Sequence, residues 1–375
     1  MFKKILFVFV FSLVLCLCNT TFAAEISARS AVVVDAQNGR IIFEKNKDEV
    51  LSMASTTKIM SALIVAESGL DLEEYFTVSE TAIMVEGSSM GLQKGDKVNL
   101  YALLVGMLLP SGNDAANAAA VRVAGDEEKF VALMNQKANE MGLKNTHFAT
   151  PSGLDGENHH TTAFELAKIA MEAMKNQTIK DICSKISIKV KFGAPPYERT
   201  LYNHNRLLRQ YSGTVGIKTG FTKKSGRCLV SACERNGVSL ICVTLNAPND
   251  FSDHTRLYDE AFESLSVKQL SQNDSYAVKI TGGEKECVLL KEESGGVALT
   301  EEEFEMVERH VQIPPFVYAP VCVGDECGEV VYTLNKKEIL KTSLVATQSV
   351  DVVKKPQSFL RKLWQGIEEK LWQKQ

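Results

Sequence analysis

The sequence lacks a surplus of positive charge. Its 375 residues carry 42 Lys and Arg against 46 Asp and Glu, a formal net charge of -4. That gives no electrostatic reason to expect a nucleic-acid partner. Metal-ligand spacing is also missing. The nine cysteines and six histidines form no zinc knuckle, and His159 and His160 have no convincing third and fourth ligand beside them. There is no internal repeat. Nor is there a hydrophobic run long enough to be assigned as a membrane span. The run ILFVFVFSLVLCL follows Lys3 and Lys4 and precedes a small-residue exit near Ala23 or Ala24. This order of charged, apolar and small residues is that of a secretory signal, assigned here to residues 1–24, with a retained anchor as the alternative.

What is present reads as a folded globular chain. Hydrophobic residues make up 45% and charged residues 23%, enough for one large or two modest domains. Removing the signal leaves an odd set of cysteines: Cys183, Cys228, Cys233, Cys242, Cys287, Cys322 and Cys327. Cys322 and Cys327 have the spacing of a small loop disulfide or of part of a metal site. Most of the others lie in apolar, strand-like runs, where cysteine serves as small core filling.

Residues 31–43, AVVVDAQNGRIIF, place two β-rich runs around Asn38-Gly39, a hairpin signal. The small and apolar residues from Thr57 to Ala66 predict a buried helix stopped near Gly69. LYALLVGMLL (100–109) predicts a second, ended by Pro110. DAANAAAVRVAG begins a third, and EEKFVALMNQKANEMG gives a fourth, stopped by Gly142. Thr162 and Glu165 have the spacing of a capping box for a helix over 161–174. RCLVSACE and VSLICVTLN read as strands joined at Arg235-Asn236-Gly237, and 255–265 as a closing helix. The fold class expected is α+β, with early and late strands sharing one sheet. The first domain is bounded at 25–268. Residues 269–350 read as a small β domain, its prolines suiting edges and turns. In 354–375, Leu360, Leu363, Trp364, Ile367 and Leu371 recur at helical spacing, and both tryptophans of the chain lie here. That pattern predicts an amphipathic helix on a membrane surface; docking onto protein is the alternative.

Three short motifs carry the chemistry. In LSMASTTKIMSALIVAE, Ser55 stands three residues before Lys58, so a hydroxyl and an amine share one face where a helix begins. A partly buried amine near another cation can lose its proton and act as a base. In Leu109-Pro110-Ser111-Gly112-Asn113, a polar loop between two apolar helices projects Ser111 as a proton relay. Asn113 would orient Lys58 and bind a substrate amide. In Val215-Gly216-Ile217-Lys218-Thr219-Gly220-Phe221, a strand at a cleft edge offers Lys218 and Thr219 to a carboxylate. There Gly220 permits close approach of a bound peptide. Taken singly, each has a plain structural reading as a cap, a turn or a solvated lysine.

In this order, S-x-x-K, S-x-N and K-T-G, the chain resembles the serine DD-peptidases, meaning penicillin-binding proteins and serine β-lactamases. More narrowly, it resembles the low-molecular-mass D-alanyl-D-alanine carboxypeptidases of bacteria. VVVDAQNGRIIFEKN, MASTTKIM, LLPSGNDAANAAA, HFATPSGLDGENHHTTAFELA and GIKTGFTKKSGRCLVSA carry the resemblance, with APVCVGDECGEVVYTLNKKEI in the second domain. It implies Ser55 as nucleophile, Lys58 as general base and Ser111 in proton transfer. Asn113, Lys218, Thr219 and Gly220 would bind substrate, and the backbone N–H groups of Ser55 and Phe221 would form the oxyanion hole. The implied partners are peptidoglycan stem peptides ending in D-Ala-D-Ala, β-lactams as covalent inhibitors, and the membrane at the outer face of the cytoplasmic membrane. Neither a cofactor nor a metal is implied. A class A β-lactamase would add a Glu-x-x-x-Asn arrangement between the second and third motifs, which is not found; Glu165 is accounted for by the helix cap. The polar side chains present in all three motifs argue against a catalytically silent binding module. The motifs do not distinguish water from an amine as acyl acceptor, so they fit a transpeptidase as well. The relatives usually lack the Cys322 and Cys327 pair. His160 is read as a rim residue.

Overall fold

The structure is a computed structural model that describes residues 26–353. The signal assignment at 1–24 and the amphipathic segment 354–375 lie outside the described residues. The chain divides into two compact units between Ser266 and Val267.

In the first unit, β1 (Ser30–Asp35) and β2 (Ile41–Lys45) form the hairpin read from Asn38-Gly39. Gly39 takes a φ of +72° at the turn, where a side chain would be strained. Three late strands complete one antiparallel sheet: β3 (Thr214–Thr222), β4 (Gly226–Arg235) and β5 (Val238–Leu245). The order is β2-β1-β5-β4-β3, so β1 pairs with β5 and β3 forms an edge. Every residue of β1 is buried. A strand covered on both faces reads as a continuous apolar run, as VVV does.

The helices are α1 (Lys58–Ala66), α2 (Leu100–Leu108), α3 (Asn113–Ala124), α4 (Glu127–Glu140), α5 (Ala163–Lys175), α6 (Gln177–Cys183) and α7 (Asp250–Ser264). Residues on all sides of α1 and α2 are buried, which explains why neither is strongly amphipathic. Leu63, Leu103, Ala119, Phe130, Leu166 and Val243 belong to one core between these helices and the sheet.

Three expectations change. Helix α7 begins at Asp250, before the expected 255. Its first turn is polar because the Asp253 carboxylate accepts bonds from the backbone N–H groups of Ser27 and Ala28. The capping box at α5 is half formed: the Thr162 hydroxyl accepts from the Glu165 N–H at 3.1 Å. The Glu165 carboxylate instead accepts from the N–H groups of Lys144 and Asn145 and from the Thr146 hydroxyl. A second sheet of Phe76–Thr77, Lys97–Val98, Ser187–Gly193 and Pro196–Tyr202 has no counterpart among the strands expected from sequence. Two of its strands are only two residues long, Pro196–Tyr202 is largely exposed, and Ser187–Gly193 alternates between exposed and buried residues.

The second unit holds β6 (Ser275–Thr281), β7 (Cys287–Glu292), β8 (Glu308–Gln312), β9 (Val317–Tyr318), β10 (Glu326–Leu334) and β11 (Lys337–Ala346), in the order β8-β10-β11-β7-β6-β9. β7 alternates exposed and buried along its length, as a sheet with one wet face requires. Val288, Leu290, Val330, Tyr332 and Leu344 fill its core. The short helix Glu301–Glu305 carries a complete capping box from Thr300 and Glu303. The described cysteines are free thiols, with Cys322 exposed and Cys327 buried. No described helix is long and apolar enough to cross a membrane.

Candidate active site

The three motifs come from distant parts of the chain and meet at one place. Ser55 lies in a 3-10 turn, Ala54–Thr57, that runs directly into α1. The helix therefore starts at Lys58, which is fully buried. Its Nζ lies 3.0 Å from Ser55 Oγ, 2.7 Å from Asn113 Oδ1 and 2.6 Å from the Ser152 carbonyl; as a free amine it donates to the last two and accepts from the Ser55 hydroxyl. All three partners are neutral, so no carboxylate offsets removal of the ammonium from water. Burial, then the charge of Lys218, hold the Lys58 amine well below the ordinary lysine value, while Asp114 works weakly the other way.

The second motif follows from the junction of α2 and α3. Ser111 takes a φ of +65°, and Asn113 is the first residue of α3. The Asn113 side chain donates to the Glu86 carbonyl at 2.7 Å while accepting from Lys58. Asp114, beside it, accepts from the backbone N–H groups of Met90, Gly91 and Leu92. The loop over 86–92 is thereby tied to the start of α3. At Gly87 an added Cβ would lie 2.8 Å from Asn113 Nδ2.

The third motif is edge strand β3. Lys218 is buried, and its Nζ donates to the Thr219 carbonyl at 2.8 Å. Burial pushes its amine down to about 7, against a small upward pull from Cys183. At Gly220, an added Cβ would meet the Met53 carbonyl at 3.1 Å and the Ser55 nitrogen at 3.2 Å. The glycine thus lets β3 press against the nucleophile turn itself, where the sequence alone points to a bound peptide. Phe221 is exposed beside it.

Between these pieces lies a cleft of about 510 Å³ lined by Ser55, Ser111, His204, Arg206, Thr219, Gly220, Phe221 and Phe251, among others. Lys58, Asn113 and Lys218 do not line it; they sit beneath the wall. Two guanidinium groups face Phe251, Arg206 at 4.5 Å and Arg227 at 5.6 Å from the ring centre. Arg227 is also paired with Asp250 at 2.9 Å. A hydroxyl open to a cleft, backed by a buried amine able to take its proton, is the minimum for nucleophilic acyl transfer. Among the described residues no group of His, Cys, Asp and Glu is arranged to hold a metal ion.

A sequence model of the D-alanyl-D-alanine carboxypeptidase family matches residues 18–249, and one of the penicillin-binding protein 5 C-terminal domain matches 265–352. The chain belongs to the D-alanyl-D-alanine carboxypeptidase family. Its enzyme class is that of the serine-type hydrolases of this family. It is 31% identical over 332 residues to D-alanyl-D-alanine carboxypeptidase DacF of Bacillus subtilis, covering 86% of this chain and 85% of that one. With D-alanyl-D-alanine carboxypeptidase DacC of Escherichia coli it shares 30% identity over 357 residues, 88% of each chain. The crystal structure of penicillin binding protein 5 from Haemophilus influenzae superposes with a TM-score of 0.70 at 26% identity, over 88% of this chain and 99% of that one. A location outside the cytoplasm is consistent with that relative.

Within this family member, sequence reasoning missed His159. Its place in the chain suggests only the neighbouring helix cap, yet it is buried, and its Nε2 lies 2.7 Å from the hydroxyl of Thr57. His160 is partly exposed and borders a separate groove with His147 and Asn158. The signal for His159 was weak, since its contact spans 102 residues of sequence.

Proposed function

We propose that Ser55 is the nucleophile of a D-Ala-D-Ala carboxypeptidase acting on peptidoglycan stem peptides. Lys58 takes the Ser55 proton as the hydroxyl oxygen attacks the carbonyl carbon between the two D-alanines. The backbone N–H groups of Ser55 and Phe221 stabilise the oxyanion. Lys218 and Thr219 favour the terminal carboxylate, whose negative charge draws the Lys218 amine beneath the wall back to its protonated form. The C–N bond then breaks, and the departing D-alanine amine takes its proton through Ser111 or Lys58. Water hydrolyses the Ser55 ester in the second half-reaction. Asn113 fixes the amine from beneath the cleft wall, where its Oδ1 faces Lys58 and its Nδ2 donates to the Glu86 carbonyl, so the contact with a substrate amide expected from sequence is not part of this scheme. The observation that carries this reading is the 3.0 Å contact between a buried, depressed amine and the Ser55 hydroxyl.

A class A β-lactamase would need a carboxylate free to activate the deacylating water. Glu165 is engaged with the backbone N–H groups of Lys144 and Asn145 and with the Thr146 hydroxyl instead. β-Lactams are therefore expected to acylate Ser55 and stay. Residues 1–24 direct export, 25–268 form the peptidase domain and 269–350 a β-rich domain. Residues 354–375 hold the enzyme at the outer face of the cytoplasmic membrane.

Intact-mass spectra after benzylpenicillin addition test the chemistry. A persistent adduct, absent in Ser55→Ala, is expected. Rapid drug loss with a fleeting adduct would replace the reading with a β-lactamase, and no adduct in folded protein would remove it. Flotation with liposomes tests the anchor: deletion of 354–375 is expected to abolish it, and equal flotation would overturn the assignment.

A further inference from the structure

Behind the nucleophile turn lies a chain of hydrogen bonds that the reaction scheme leaves unused. The Ala149 N–H donates to His159 Nδ1 at 3.0 Å. With Nδ1 accepting, a neutral ring must carry its proton on Nε2. Nε2 therefore donates to Thr57 Oγ1, 2.7 Å away, and the Thr57 hydroxyl donates to the Ala54 carbonyl at 2.7 Å. Ala54 has a φ of +49°, a left-handed conformation that an alanine adopts only when its surroundings hold it there. Its carbonyl belongs to the peptide unit whose N–H is that of Ser55.

The same loop touches the turn at two further points. Gly153, at a φ of +82°, packs so closely that a Cβ there would lie 2.1 Å from the Ala54 oxygen. Ser152 accepts from Lys58. The ring is 4% exposed and stands edge-on to Phe148, 6.1 Å between centres. Burial pushes its pKa down to about 4, with the nearby His147, His160, Lys224 and Lys58 adding to the effect. The ring is then neutral across the physiological range.

We infer that His159 is a positioning residue for acylation: acting through the Thr57 hydroxyl, it fixes the Ala54–Ser55 peptide, and so aims the nucleophile and the oxyanion N–H of Ser55. The inference rests on Ser55 being acylated. The relay has one direction, since Thr57 has a single proton and gives it to Ala54. Removing Thr57 leaves that carbonyl without its partner, and removing His159 leaves the Thr57 hydroxyl free to turn away from it; either lets the left-handed turn relax.

The test is the acylation kinetics of the purified protein with benzylpenicillin at pH 7.5, followed by stopped flow. In folded Thr57→Val and His159→Leu, the limiting rate constant is expected to fall at least tenfold. The drug concentration for half-maximal rate should stay within threefold. The double variant should be no slower than the slower single one, because the two act as one unit. Thr57→Ser and His159→Gln, which keep the donor pattern, should stay within threefold of wild type. Wild-type rates in folded Thr57→Val and His159→Leu, or losses that multiply, would overturn the inference. If His159→Leu does not fold, Thr57→Val, which removes only the hydroxyl, decides. Nitrogen-15 spectra of the histidine rings separate this from the acyl-enzyme reading. No wild-type adduct would sink that reading and this inference with it, so the ring spectra are read in protein that does form the adduct. A His159 ring protonated on Nδ1 would sink this inference alone.

Discussion

Glu292 in the second unit and the two lysines of the site in the first are buried charges treated in opposite ways. In the second unit the Glu292 carboxylate has no exposed surface, yet it is well supplied with donors. It accepts from the hydroxyls of Tyr332 at 2.6 Å and Thr342 at 2.7 Å and from Arg309 at 2.8 Å. Burial works against its charge, but these bonds prevail and hold it below the ordinary range. Arg309 in turn bonds both Tyr276 and Tyr332. In the first unit, Lys58 and Lys218 are equally buried and meet only neutral oxygens. Their amines are driven toward the uncharged form. A buried charge with a full set of partners holds structure; one denied a counter-ion becomes a base.

The strongest way to break this contrast is Lys58→Met. Acylation of Ser55 should slow by about a thousandfold, the scale of a lost general base, while thermal stability holds or rises because an uncompensated amine has gone. Arg309→Met should do the reverse. It leaves a buried carboxylate short of its cation and should lower the stability of the second unit by about 2 kcal/mol in denaturant titration, with acylation unchanged. Lys218→Met sharpens the comparison through pH. The folded amine titrates at about 7 and the unfolded one near 10.4. Between these values the unfolded chain binds more protons, so wild-type stability should climb with pH relative to the variant. Melting curves at pH 7 and pH 10 that shift in parallel would remove Lys218 from the account. The smallest effect belongs to Gly220→Ala. Contacts of 3.1 to 3.2 Å to Met53 and Ser55 should shift the turn by a few tenths of an ångström and slow acylation several-fold.

Much of the site was legible because its motifs are short and local. S-x-x-K spans one helical turn, and K-T-G lies along one strand, so each appears in sequence with its own spacing. The hairpin at Gly39 and the turn at Asn236-Gly237, with φ of +50° and +80°, were legible for the same reason. What sequence hid was long-range. Glu165 had the spacing of a cap, but its carboxylate found the Lys144 and Asn145 N–H groups and the Thr146 hydroxyl across a fold. His159 reached Thr57 over 102 residues. Pro196–Tyr202 is largely exposed, so no apolar pattern announced it; Ser187–Gly193 does alternate, with Ile188, Val190 and Phe192 turned to the core between exposed lysines, a strand signal that sequence reasoning missed. The apolar neighbours of Lys58 hint at its burial. That its partners are all neutral follows from tertiary contacts with Asn113 and Ser152.

The central claim is that Lys58 works as a free amine held ready by its surroundings. The pH dependence of the limiting acylation rate with benzylpenicillin tests it directly. The account predicts a rate that reaches its plateau well below the ordinary lysine value of 10.5, with that acid limb absent from the residual rate of Lys58→Met. A rate that keeps climbing through pH 10 would mean an ordinary, charged lysine beside Ser55 and would contradict the account.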